Sequence, residues 1–236
     1  MFVLLYIPKL VLITFLLIED VGRLFRAGGV GVGKMVSDSF ADTPYFEGRR
    51  KFLSQFALVL ASIPFVSILY GVTKGKYNYK VHRVSLKFKD LPDAFDGLTI
   101  TQISDIHSGS FDDEAAVRHG INLINEQKSD LLFFTGDLVN NLASEMEPWT
   151  PLFKKLNAPM GMFSIFGNHD YGDYVSWESE GAKQENIFHL KEIHKELGFK
   201  LLLNENVNIE KGGQKISLIG IENWGSGGFA KYGDLE

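Results

Sequence analysis

Two long apolar runs open the chain before its pattern breaks into shorter ones. Residues 1–18 are almost wholly apolar, interrupted by Pro8 and Lys9, and "LVLITFLLI" runs into Glu19 and Asp20. A helix needs about 20 apolar residues to cross a bilayer, so this run predicts a transmembrane segment of minimal length. Residues 52–72, "FLSQFALVLASIPFVSILYGV", contain no charged side chain and are long enough to span. Pro64 inside that run would kink a soluble helix and is tolerated in a membrane one. The stretch between, 19–51, reads as a polar and glycine-rich linker, and 52–73 as a transmembrane or signal-anchor helix.

From about residue 81 short apolar runs alternate with helix-like stretches, the pattern of an α/β or layered α+β domain over 81–236. "LTITQISD" (98–105), "DLLFFTGD" (130–137) and "MGMFSIFGNHD" (160–170) predict strands, and the unbroken apolarity of the second marks a strand covered on both faces. Ser110 and the acidic residues 112–114 precede apolar positions 117, 121 and 124, which predicts a helix. A short helix at "EPWTPLFKKL", a longer one over about 185–197, and strands turning at Gly212 and Gly213 complete the pattern.

Composition narrows the chemistry. A formal charge of -5, with no basic surface interleaved with aromatics, gives no reason to expect nucleic acid as a partner. The chain has no cysteine, so disulfides and thiolate zinc sites are excluded, and a metal site must use His, Asp, Glu or Asn. "GRRKFLSQ", with Arg49 and Arg50 ahead of the second apolar run, resembles a twin-arginine export motif and reads equally as a basic membrane flank. Either reading puts these arginines on the cytoplasmic side, and a single crossing would then place everything after residue 75 outside the cytoplasm, although Lys74, Lys76 and Lys80 make the other flank basic too. "GGVGVGKM" (28–35) comes close to a phosphate-cradling loop, but Met35 has no hydroxyl for magnesium and no strand precedes it. It reads as a flexible connector.

Each strand of the domain ends in the same kind of element. The first closes on Asp105, Ile106 and His107, the second on Gly136 and Asp137, the third on Gly167, Asn168 and His169. Ligands in open α/β sheets bind outside the carboxyl ends of strands, so the three tips predict one shared site. Residues i and i+2 of an extended segment point to one side, which lets Asp105 and His107 reach one cation. Asp137 has two oxygens with which to bridge two. This donor set, without thiolate, suits Mn, Fe, Zn or a similar divalent ion.

"DIH" (105–107), "GDLVN" (136–140) and "GNHD" (167–170) resemble, in order, the D-x-H, G-D-x-x-[ND] and G-N-H-[DE] motifs of the calcineurin-like metallophosphoesterases. The resemblance covers residues 81–236 and implies two β-sheets packed face to face and flanked by helices, incomplete here, preceded by one or two N-terminal transmembrane helices. It implies that Asp105 and His107 bind a first metal, that Asp137 bridges, and that Asn168 binds a second. His169 would sit beside the scissile phosphate, and Asp170 would orient it. The implied reaction is hydrolysis of a phosphate ester by a hydroxide activated between two metal ions.

The family also carries a later isolated His and a G-H-x-H motif, which this sequence lacks. After His169 only His189 and His194 remain, both on the predicted helix and read as surface or partly buried. The chain is therefore expected to be truncated before those motifs, leaving a half-liganded site and two readings: a phosphoesterase, or a catalytically inactive membrane-anchored scaffold. A bacterial cytoplasmic-membrane location and a membrane or cell-envelope phosphate substrate, UDP-2,3-diacylglucosamine-like among the possibilities, are the accompanying expectations. Glu222 and Asn223 follow another apolar run and are candidates to lie near the site.

Overall fold

The computed structural model describes residues 2–36, 47–226 and 228–234, and the chain divides into two compact units, Met1–Lys80 and Val81–Glu236. The first holds two packed helices, α1 (Phe2–Val36) and α2 (Glu47–Thr73). Ala57 and Ala61, one turn apart on the largely exposed α2, are buried, and Phe15 meets Phe56 edge-on with 6.1 Å between ring centroids. Small residues let helix backbones approach closely, the packing that serves where lipid removes the hydrophobic drive. Phe2–Gly22 and Lys51–Thr73 are each long and apolar enough to cross a membrane.

The first helix does not stop with its apolar run. It continues through Gly28–Lys34 to Val36, where the sequence reading has a flexible connector. Continuing the helix satisfies backbone N–H and C=O groups internally, which outweighs the roughly 1 kcal/mol each glycine costs relative to alanine. The rest of the predicted linker, 37–46, lies outside the described residues, as do the side chains of Arg49 and Arg50 on which the twin-arginine reading rests.

The second unit is built on a parallel sheet in the order β1 (Ile100–Ile103), β2 (Leu131–Phe134), β3 (Met162–Ser164), β4 (Lys200–Leu201). Ile103 pairs with Phe134 and Phe134 with Ser164, so the strands end almost level and all run toward one edge. An antiparallel hairpin, β5 (Glu205–Lys211) and β6 (Gln214–Gly220), turns at Gly212 and Gly213, whose φ values of 57° and 76° fit a two-residue turn with both centres left-handed.

Alternation along β2 sends its side chains to opposite faces of the sheet. On one face, Phe95, Leu131 and Ile209 form a buried cluster joined by Phe133, Phe163, Val207, Ile216 and Leu218, so the hairpin packs on the parallel sheet as a second layer. On the other, Phe134 lies against His194 of α5 (Glu180–Glu196), with 5.7 Å between ring centroids. A strand covered on both faces is what its unbroken apolar run predicts.

Helix starts move to where a side chain caps them. The Asp113 carboxylate, rather than Ser110, accepts from Ala116 N at 3.0 Å and opens α3 (Glu114–Glu126), which buries Val117 and Ile121. Ser179 does the same for Ala182 at 3.1 Å, so α5 begins at Glu180 instead of about 185. The short helix predicted near 147–156 is a 3-10 turn, Glu147–Trp149, followed by α4 (Thr150–Phe153).

Candidate metal centre

Beyond the sheet edge the chain adopts backbone that L-residues rarely take. Asp105, His107 and Asp137 have φ of 54°, 46° and 61°, three of the five positive values at non-glycine positions among the described residues. Each such residue costs on the order of 1–3 kcal/mol, sustained only where surrounding structure dictates it. Here the dictating contacts are backbone hydrogen bonds between two loops: Asp105 N to Gly136 O, His107 N to Asp137 O and Ser108 N to Leu138 O, each 3.0 Å.

Gly136 and Gly167 bring in the third loop. A Cβ on Gly136, whose φ is 101°, would stand 2.3 Å from Gly167 N, and one on Gly167 would stand 2.3 Å from Asp137 Oδ1. The two glycines therefore let the loops after β2 and β3 touch backbone to backbone.

Asp170 locks that junction. Its carboxylate is fully buried and accepts from Asp137 N (2.8 Å) and Gly167 N (2.9 Å) on Oδ2, and from Leu138 N (2.8 Å) and Val139 N (3.4 Å) on Oδ1. Burial pushes its carboxyl up to about 7; the Gly167 N–H pulls it down, the Asp137 charge adds to the rise, and the N–H groups of Leu138 and Asp137 oppose it. With only donors facing it, the ionised form is the one the geometry suits. The resemblance implies that Asp170 orients His169; the hydrogen bonds of its carboxylate run to the N–H groups of residues 137–139 and of Gly167.

Within this frame the donor atoms of His107, Asp137 and His169 lie within 4.8 Å of one another. His107 Nε2 stands 3.7 Å from Asp137 Oδ2. Donors about 2.1 Å from one ion can be up to roughly 4.2 Å apart, so this pair fits a single cation. Asp137 Oδ1 accepts from His169 N at 2.9 Å, which ties the third tip to the second. His169 Nδ1 lies 2.7 Å from the Asn140 carbonyl, which can only accept, so Nδ1 carries the proton and Nε2 is left for other work. Asn168 Nδ2 donates to the Tyr174 hydroxyl at 2.7 Å. Asp105 is exposed, and the three-residue group does not include it.

Other sequence candidates fall elsewhere. His189 is half-exposed, 3.7 Å from Glu147, whereas His194 is wholly buried, which corrects the reading of it as surface or partly buried. Burial holds the His194 imidazole down to about 3. Glu222 reaches the site region indirectly, accepting from the hydroxyl of Tyr171 at 2.8 Å. Two contributors have no signal in the sequence: the Asn140 backbone carbonyl, and Glu145, which accepts from Asn140 N at 2.6 Å and fixes that carbonyl's loop. Tyr174 is a third, since "YGDYVSW" has no periodicity to single it out.

Residues 98–234 match the family model described as "Calcineurin-like phosphoesterase", and residues 1–76 match "Probable Calcineurin-like phosphoesterase, transmembrane domain". The Bacillus subtilis metallophosphoesterase YkoQ is 29% identical over 169 residues, 71% of this chain and 58% of that protein. A second, YkuE, is 40% identical over 92 residues, 38% of this chain and 32% of that protein. The Chlamydia muridarum UDP-2,3-diacylglucosamine pyrophosphatase LpxG is 37% identical over 86 residues, 36% of this chain and 26% of that protein. The chain thus spans no more than 58% of the length of these relatives.

Proposed function

Because the chain belongs to the calcineurin-like phosphoesterase family, we propose that it is a membrane-anchored, metal-dependent phosphoester hydrolase whose chemistry sits at the β1–β3 tips. The observation that carries this reading is the convergence of His107, Asp137 and His169 at one edge of a parallel sheet, held by strained and cross-bonded loops. Two divalent ions are proposed, of the Mn, Fe or Zn kind. Asp105 and His107 would hold the first, Asp137 would serve both, and Asn168 would hold the second. Ions so placed supply the acidification of water and the neutralisation of phosphate oxygens.

The chain's own residues do the rest. Asp137 is fixed twice, through its N–H on Asp170 and its Oδ1 on His169 N, so its Oδ2 keeps one position relative to His107. His169 holds a proton on Nδ1 against the Asn140 carbonyl and uses Nε2 toward the phosphate. A proton that Nε2 takes from water would pass to the leaving oxygen, returning the ring to its neutral state, and the Asn140 carbonyl would stabilise it while it is charged.

For the substrate we propose a phosphate ester or pyrophosphate of a membrane or cell-envelope molecule, since helices able to span a bilayer precede the domain. A UDP-2,3-diacylglucosamine-like substrate is supported by the named activity of LpxG over its 86 matching residues. The basic pair Arg49 and Arg50 supports an extracytoplasmic domain. The exposed position of Asp105, apart from the metal group, favours the second reading, an inactive scaffold of the same fold.

The test is Mn-dependent hydrolysis of bis-p-nitrophenyl phosphate by the full chain in detergent, with bound metal counted. Asp137→Asn keeps the oxygen that His169 N needs and removes the charge, so turnover should fall more than about 100-fold while the fold survives. Absence of both bound metal and turnover in the unaltered chain would leave the scaffold reading in possession.

A further inference from the structure

Asn168 differs from the other donors at the site. Its amide has two ends of nearly equal size, and only the oxygen can face a cation. In the structure the nitrogen end donates to the Tyr174 hydroxyl at 2.7 Å, which leaves the carbonyl oxygen on the opposite side. The same Tyr174 ring packs on His169, with 4.6 Å between centroids at 40°. One half-exposed side chain thus touches both polar residues of the third tip.

The loop that presents Tyr174 is braced on both sides. Before it, Gly172 turns the chain at φ 65°, and Trp177 occupies the space a Cβ there would need while donating from Nε1 to the Gly172 carbonyl at 2.7 Å. Asp173, the immediate neighbour, is held by Lys183 at 2.6 Å and by the Tyr232 hydroxyl at 2.8 Å. Tyr232 in turn stacks on Tyr171, 3.8 Å between centroids.

We propose that Tyr174 is a positioning residue for metal binding: its hydroxyl takes the Asn168 amide nitrogen so that the amide oxygen is turned to the cation. This rests on the metal-binding reading above. The hydroxyl gives the N–H a partner in the one orientation that ligates, and it limits the rotamers Asn168 samples before the ion arrives. Tyr174 itself does not ligate and acts through Asn168.

Mn2+ affinity of the full chain in detergent, read from the free-ion electron paramagnetic resonance signal, tests this without relying on turnover. Tyr174→Phe keeps the ring on His169 and removes the hydroxyl, and it should weaken Mn2+ binding about 10-fold. In an Asn168→Ala background the same change should have no further effect, because the route through Asn168 is gone. The urea midpoint of Tyr174→Phe should stay at the wild-type value. Wild-type affinity in Tyr174→Phe, or losses that simply add in the double variant, would overturn the assignment while sparing the metal site. A wild-type chain that binds no Mn2+ would overturn the metal reading and this inference with it.

Discussion

Acid should weaken the second unit through a single histidine. His194 is completely buried among Phe134, Phe166 and Phe199, with Nδ1 2.9 Å from Ser164 Oγ and Nε2 without a hydrogen-bond partner. A proton on the second nitrogen would bring a charge and an unanswered donor into an apolar layer, and burial therefore lowers this imidazole from 6.5 to about 3. The sign follows directly. Between those values the unfolded chain binds the proton and the folded one does not, so the stability His194 confers is complete above 6.5 and is lost as pH falls toward 3. Each pH unit in that window is worth about 1.4 kcal/mol, or roughly 2 kcal/mol by pH 5, against a typical domain stability of about 5–15 kcal/mol.

Urea unfolding followed by tryptophan fluorescence at pH 7, 6 and 5 reads this unit alone, since Trp149, Trp177 and Trp224 all belong to it. His194→Phe fills the aromatic layer with a ring that cannot titrate. The lost bond to Ser164 lowers its stability by an amount that does not vary with pH, so the comparison is of slopes. Wild type should lose about 2 kcal/mol more than His194→Phe between pH 7 and pH 5. Parallel losses in the two proteins would refute the reasoning.

Two further perturbations test the junction of the loops. Asp170→Ala strips four peptide N–H groups of their acceptor, and the urea midpoint should fall by the equivalent of at least about 3 kcal/mol. Gly136→Ala places a Cβ 2.3 Å from Gly167 N on a backbone with φ of 101°. It should destabilise the unit by about 3 kcal/mol or more and abolish bound Mn2+, both measurable on the same preparation.

How much of this was legible beforehand depends on the range of the interaction involved. Apolar runs marked the strand cores, and the glycine pair at 212–213 marked the hairpin turn, because each is set by neighbours along the chain. Strand ends came out shorter than their apolar runs, since "SD" and "TGD" leave the ladder to form the loops of the site. The connector reading of Gly28–Lys34 failed because glycine's weak local preference yields to continuing a helix already formed. His194 could not be read as buried from a helix whose other faces are polar; only the arrival of Phe134 from β2 and Phe166 from the segment after β3 buries it.

The sequence by itself determined the chemistry available: no thiolate, and His, Asp and Asn at three successive strand tips, the second and third behind glycines. It did so because strand ends and turn residues are local matters, and the motifs keep their spacing whatever packs around them. Only the tertiary structure decided which of these groups meet. It placed His107, Asp137 and His169 together, left Asp105 exposed, set the Asp170 carboxylate between the loops of Asp137 and Gly167, and brought Tyr174 onto Asn168. Such contacts form between segments that lie apart in sequence, and they are fixed by the level ends of parallel strands and by hydrogen bonds between loops rather than by any residue's own preference.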